Sequence, residues 1–213
     1  MTMHTSATQV EDRVADTADQ LTGRLEGSPA LTSVAAALSR AADAVVPSGP
    51  VRDLARGRWL GHPVHPMLTD LPIGFWTSAF VLDVVPGKRT RRAADALVGL
   101  GVLSALPTAA AGLAELTDLR DERTTRVAAA HAVGNAVGTA LYASSLWARI
   151  RGHRGRGLAL SLVGAGLMSI SGYLGGHLSY RRAAGVDVSA LPDGPERSHE
   201  DRSDRLPSEE RRT

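Results

Sequence analysis

Two stretches of this chain, Val127 to Ala148 and Gly157 to Tyr180, contain no charged residue. Each is longer than the roughly 18 apolar-leaning residues that mark a candidate membrane helix. A surface helix of a small soluble protein needs one polar face, and a run uncharged all round does not supply it. Two further runs have the same character with exceptions. Trp59 to Gly87 holds no Lys or Arg, and Leu68 to Val85 is apolar apart from Asp70 and Asp83. Ala93 to Leu116 has its acids, Asp95 and Glu115, near its ends, where a charge costs less. Its internal Pro107 is tolerated in a membrane helix when neighbouring groups take up the freed carbonyl. The pattern predicts an all-α protein: a four-helix transmembrane bundle, up-down-up-down, with spans of about 68–85, 93–116, 127–148 and 158–180. The competing reading is a soluble Ala-rich helical bundle, since Ala, Gly and Ser dilute every span.

Composition narrows the chemistry. Aromatic residues make up only 4% of the chain and there are 22 glycines, a balance that suits closely packed helices better than strands. Small residues recur at helix-packing spacing in Ala105-xxx-Ala109, Gly134-xxx-Gly138 and Gly172-xxx-Gly176. No Cys is present, which removes disulfides, thiolate metal sites and Cys-ligated iron–sulfur clusters together. Any metal must therefore use His, carboxylate or backbone oxygen. A net charge of +2 is too small to argue for nucleic acid. There is also no nucleophile elbow, phosphate loop or dinucleotide fingerprint, so hydrolase and nucleotide-enzyme readings have nothing to rest on and no catalytic residue is assigned.

The flanks are polar. Residues 1–50 read as an N-terminal tail with two weakly amphipathic helices, the second opening at Ser28-Pro29, and Pro47-Ser48-Gly49-Pro50 reads as a linker. No basic region leads into an apolar one at the N-terminus, which argues against a secretory signal. Residues 51–182 form the expected membrane domain. Residues 183–213 mix Arg, Asp, Glu, Ser and Pro and are expected to be disordered. Basic residues fill the loops after the first and third spans, but Lys and Arg number eight on either side, so the positive-inside rule selects no orientation. The expectation is a multi-pass inner-membrane protein with both tails in the cytoplasm.

Alternating span direction places four of the seven histidines at one membrane face: His62 and His65 before the first span, His131 entering the third, His177 leaving the fourth. Neutral imidazole is a common metal and haem ligand, so a histidine face can hold a haem b, a divalent metal ion or a proton relay. It can equally consist of imidazoles that bond backbone carbonyls and cap helices. Because each precedes a proline, His62 and His65 are expected in extended or polyproline conformation, roughly 9 Å apart, too far to chelate one ion. His131 and His177 are then the better opposed ligands. Asn135, one turn after His131, faces the same way. Asp70, expected in the first turn of its helix behind a Thr69 N-cap, is placed there by the helix dipole or as a carboxylate orienting an imidazole.

The stretch Gly57-Arg58-Trp59-Leu60-Gly61-His62-Pro63-Val64-His65-Pro66, continuing through Thr69-Asp70-Leu71-Pro72-Ile73-Gly74, resembles the bacterial membrane family called domain-of-unknown-function family 2231. Ala130-His131-Ala132 with Asn135, and Gly172 through Tyr180, are similar to its other signature segments, and the resemblance runs from about Val51 to Asp187. It implies a four-helix membrane protein without an assigned activity. Members of this kind are often joined to a Rieske iron–sulfur domain, which implies membrane electron transfer; this chain ends instead in a polar tail without Cys. Two readings stand: a redox-associated haem- or metal-binding subunit working with a Rieske-type or other redox protein, and a structural or partner-binding membrane module with no cofactor.

Overall fold

The structure, a computed structural model, describes residues 3–181, and the charged segment 183–213 lies outside them. The described chain is helical without a strand. Its elements are α1 (Met3–Glu26), α2 (Pro29–Val45), α3 (Pro50–Arg56), a 3-10 turn (Arg58–Leu60), α4 (Val64–Val84), α5 (Lys88–Leu116), α6 (Glu122–Ile150), α7 (Arg154–Gly176) and a closing π-helical turn (His177–Arg181). Two helical stretches are long and apolar enough to cross a membrane by themselves, Lys88–Leu116 and Arg154–Tyr180. Only 28% and 22% of their apolar windows are buried, so most of that apolar length faces outward. In α4, Asp70, Pro72 and Asp83 dilute the apolar character; in α6, Ala, Gly, Ser and Asn do the same.

Short connections make α4–α5 and α6–α7 antiparallel hairpins, and α5 joins them by packing on α6. The N-terminal helices lie on this frame: α1 and α2 against α6, and α2 and α3 against α5. Leu25 and Leu38 close over Leu116, Val127, Leu174 and Leu178. Arginines satisfy the carbonyls left open at helix ends. Arg52 donates to Val46 O at the end of α2, and Arg56 donates to Ala114 O and Thr117 Oγ1 at the end of α5. At the start of α6 the Asp121 carboxylate accepts from the Thr124 amide at 2.8 Å.

The entry to α4 differs from its expected form. Helix begins at Val64, so His65 is helical despite the proline after it, and Thr69 and Asp70 fall beyond the first turn. The preference against helix before proline is overcome by a tertiary contact, the His65 amide donating to Glu115 Oε1 at 3.2 Å. Pro66 is harmless in a first turn, where its missing N–H would have had no partner. Thr69 does not cap the helix; its hydroxyl donates to Pro66 O at 2.5 Å. Pro72 lies inside α4, where a proline removes the bond to the carbonyl four residues back, and that carbonyl, Leu68 O, shares the Thr108 Oγ1 proton of α5, at 3.2 Å, with Ser104 O at 2.8 Å.

The two hairpins repeat one another at seven positions. His65, Trp76 and Asp83 of α4 correspond to His131, Tyr142 and Arg149 of α6, each pair 66 positions apart. Ala94, Gly101, Thr108 and Gly112 of α5 correspond to Gly157, Gly164, Ser171 and Gly175 of α7 at a constant offset of 63. The correspondence extends to roles. Gly101 leaves room for the Trp76 ring and Gly164 for the Tyr142 ring; Gly112 leaves room for the His65 ring and Gly175 for the His131 ring. Equivalent α4 and α6 side chains meet each other: His65 with His131, Trp76 stacked on Tyr142 at 4.0 Å and 1°, and Asp83 with Arg149. Contact between equivalent positions at three layers places a pseudo-two-fold axis between α4 and α6; the frame departs from it in that α5 packs on α6 without comparable packing of α7 on α4. Its outermost layers lie eighteen residues apart, about 27 Å at 1.5 Å per residue.

Candidate functional site

Each half of the molecule builds its imidazole site in the same way. His65 Nδ1 lies 2.8 Å from Thr108 O, and His131 Nδ1 lies 2.7 Å from Ser171 O. A carbonyl only accepts, so both rings carry their proton on Nδ1 and leave Nε2 as an acceptor. A methyl group at Gly112 would stand 2.9 Å from His65 Cε1, and one at Gly175 the same 2.9 Å from His131 Cε1. Glycine at these two positions lets an imidazole lie flat against the neighbouring backbone. The ring centroids are 6.1 Å apart and their planes nearly perpendicular at 87°.

The halves differ at Nε2. In His131 it accepts from Asn135 Nδ2 at 3.0 Å, while Thr69, the equivalent residue beside His65, bonds its own backbone. His65 Nε2 has no hydrogen-bond partner among the described residues. Glu115, which holds the His65 amide, completes the polar surroundings of this layer.

The other two histidines are not brought to the pair. His62 is exposed in the loop before α4. His177 is buried against the N-terminal helices: its Nε2 is 3.6 Å from Glu26 Oε1, and neither ring nitrogen has a partner at hydrogen-bond distance. Asp70 is exposed on α4 and bonds to no imidazole. Among the described residues no three His, Asp or Glu side chains are grouped to hold a metal ion. By donor count the two imidazoles of His65 and His131 would suffice to hold a haem b, whereas a divalent ion lacks a closed ligand set here.

At the far end of the axis stands an ionic cluster that the sequence reading did not anticipate. Asp83, Asp95, Arg149 and Arg154 join the ends of all four helices. The Arg149 side chain is fully buried and Asp83 is 5% exposed. All five Arg149 N–H groups are used: Nε to Ser145 Oγ, Nη1 to Asp83 and Asp95, Nη2 to Asp83 and Ser161 Oγ. Arg154 adds a bond to each aspartate. Two cations against two anions leave the cluster neutral, the condition on which buried charge is tolerated. Gly157 makes room for the Arg149 stem, as Gly175 does for His131. The available signal was the pairing of lone acids in two spans with arginines one hairpin away; grouped by loop, those arginines looked free.

Residues 61–188 match the family model described as Predicted membrane protein (DUF2231). No curated protein and no solved structure matches the chain. The matched segment begins just before His62, contains both hairpins and their axis, and covers more than half of the 213 residues. The chain belongs to the family of predicted membrane proteins DUF2231.

Proposed function

We propose that α4, α5, α6 and α7 all span the bilayer as an up-down-up-down bundle, and that the His65–His131 pair at one end ligates a redox cofactor, haem b on donor count. The observation that carries this reading is the Nδ1–H bond of each imidazole to a carbonyl of the facing helix. That is how ligating histidines are oriented, their second nitrogen left to the metal. Haem would supply one-electron chemistry, making the chain a membrane electron-transfer subunit for a Rieske-type or other redox protein. His62 and His177 stand outside a two-ligand set, and Asn135 is the residue that would yield its bond on ligation. The spanning reading is supported by large apolar side chains on the outer face of each of the four helices, among them Ile73, Leu103, Val137 and Val163, all exposed. The separation of the polar axial layers, about 27 Å, is close to the roughly 30 Å of a hydrocarbon core. We place the protein in the inner membrane with its tails cytoplasmic.

The bond from Asn135 to His131 Nε2 favours a second reading, in which the imidazoles only join helices and the chain is a structural or partner-binding module. One preparation separates the two. The protein, expressed with haem and metals supplied and purified in detergent, is expected to show a Soret band that His65→Ala and His131→Ala abolish and His62→Ala retains. A preparation with neither a Soret band nor stoichiometric metal would leave the structural reading standing.

A further inference from the structure

The membrane face opposite the imidazoles carries six exposed cations with no ion-pair partner among the described residues: Lys88, Arg89, Arg91 and Arg92 at the start of α5, and Arg151 and Arg156 around the α6–α7 turn. The acids at this end, Asp83 and Asp95, are taken up by Arg149 and Arg154. Beside Arg151 and Arg156, between the ends of α6 and α7, lies a groove of about 640 Å³. Its lining includes Arg151, Arg156, His153, Trp147, Ala143 and Leu160, with no carboxylate. The Arg151 guanidinium lies over the Trp147 ring, 4.4 Å from its centroid, and Trp147 is itself exposed. The groove is therefore cationic at its loop end and apolar where it runs down the helices, with an indole at the boundary. Tryptophan favours this headgroup depth, and basic pockets between membrane helices take anionic headgroups.

We propose that this groove binds an anionic phospholipid, its phosphate held by Arg151, Arg156 and His153 and its upper acyl chain lying along Ala143 and Leu160. The lipid is chosen over a free anion because half of the lining is apolar and opens toward the lipid-facing side of α6 and α7. The site rests on the spanning reading above and is independent of any cofactor at the imidazoles.

The test is native mass spectrometry of the full chain in detergent, titrated with phosphatidylglycerol, phosphatidylcholine or inorganic phosphate. Phosphatidylglycerol is expected to be retained about tenfold better than phosphatidylcholine, and Arg151→Gln with Arg156→Gln to remove that preference. The two single variants serve if the double variant does not fold. Arg89→Gln with Arg92→Gln, in the other loop, is expected to keep it. Equal retention of the two lipids, equal loss in the Arg89/Arg92 variant, or displacement by inorganic phosphate at matched concentration would overturn the site. A wild-type chain released from membranes without detergent overturns the spanning reading instead, so the two failures are distinguishable.

Discussion

At Gly112 and Gly175 the side chain is absent because an imidazole occupies its place. A Cβ at Gly175 would meet the His131 ring at 2.9 Å, while Gly172 and Gly176 face open space. Gly175→Ala is therefore expected to lower stability by about 1–3 kcal/mol through overpacking. Gly172→Ala, in a helix interior with room for a methyl, is expected to raise it by about 0.5–1 kcal/mol. Thermal unfolding in detergent measures both, and equal effects would show that the ring is not held where described. At this scale part of the site could be read from spacing: His131 and Asn135, one turn apart, do bond to each other. His65 is helical rather than extended as its neighbouring proline predicts, because the carboxylate that holds its amide is fifty residues away on α5.

At the scale of the element, prolines and small residues show how each helix depends on its neighbour. Pro72 frees Leu68 O, and Thr108 donates to it. Thr108→Val is expected to cost about 1 kcal/mol by leaving that half-buried carbonyl without a side-chain partner. Pro72→Ala restores an N–H at residue 72, so the same Thr108→Val change should cost less in that background. A double-mutant cycle on unfolding free energies reads the coupling, and a coupling of zero would show that the two residues act independently. Small-residue packing was visible in composition but not in register. Gly134 and Gly138 do meet Ser171 and Met168 of α7. Gly172 and Gly176 touch nothing, and the glycines that receive large side chains, Gly101 and Gly112 of α5 and Gly157, Gly164 and Gly175 of α7, are spaced by seven and eleven residues, which a four-residue pattern does not reveal.

For the whole molecule, the decisive measurement is topology. The chain has no native Cys, so single cysteines at His153→Cys and Arg123→Cys report without interference. Four spans predict that an impermeant thiol reagent added to sealed vesicles labels one of them and not the other; labelling of both would remove the four-span arrangement. The sequence by itself determined helicity, since low aromatic content, abundant Gly and Ala and long charge-free runs suit packed helices rather than strands. It also marked α5 and α7 as candidate spans and identified the family, whose signature is local; the charge-free run of α6, diluted by Ala, Gly and Ser, falls short of a candidate span. Only the tertiary structure decided which histidines meet. A span model fixes height but not rotation about each helix, and rotation turns His65 and His131 to the axis while His177 faces Glu26. The axis itself was beyond reach of pattern reading: Trp answering Tyr and Asp answering Arg are not similar residues, and they become equivalent only when seen in contact across a two-fold.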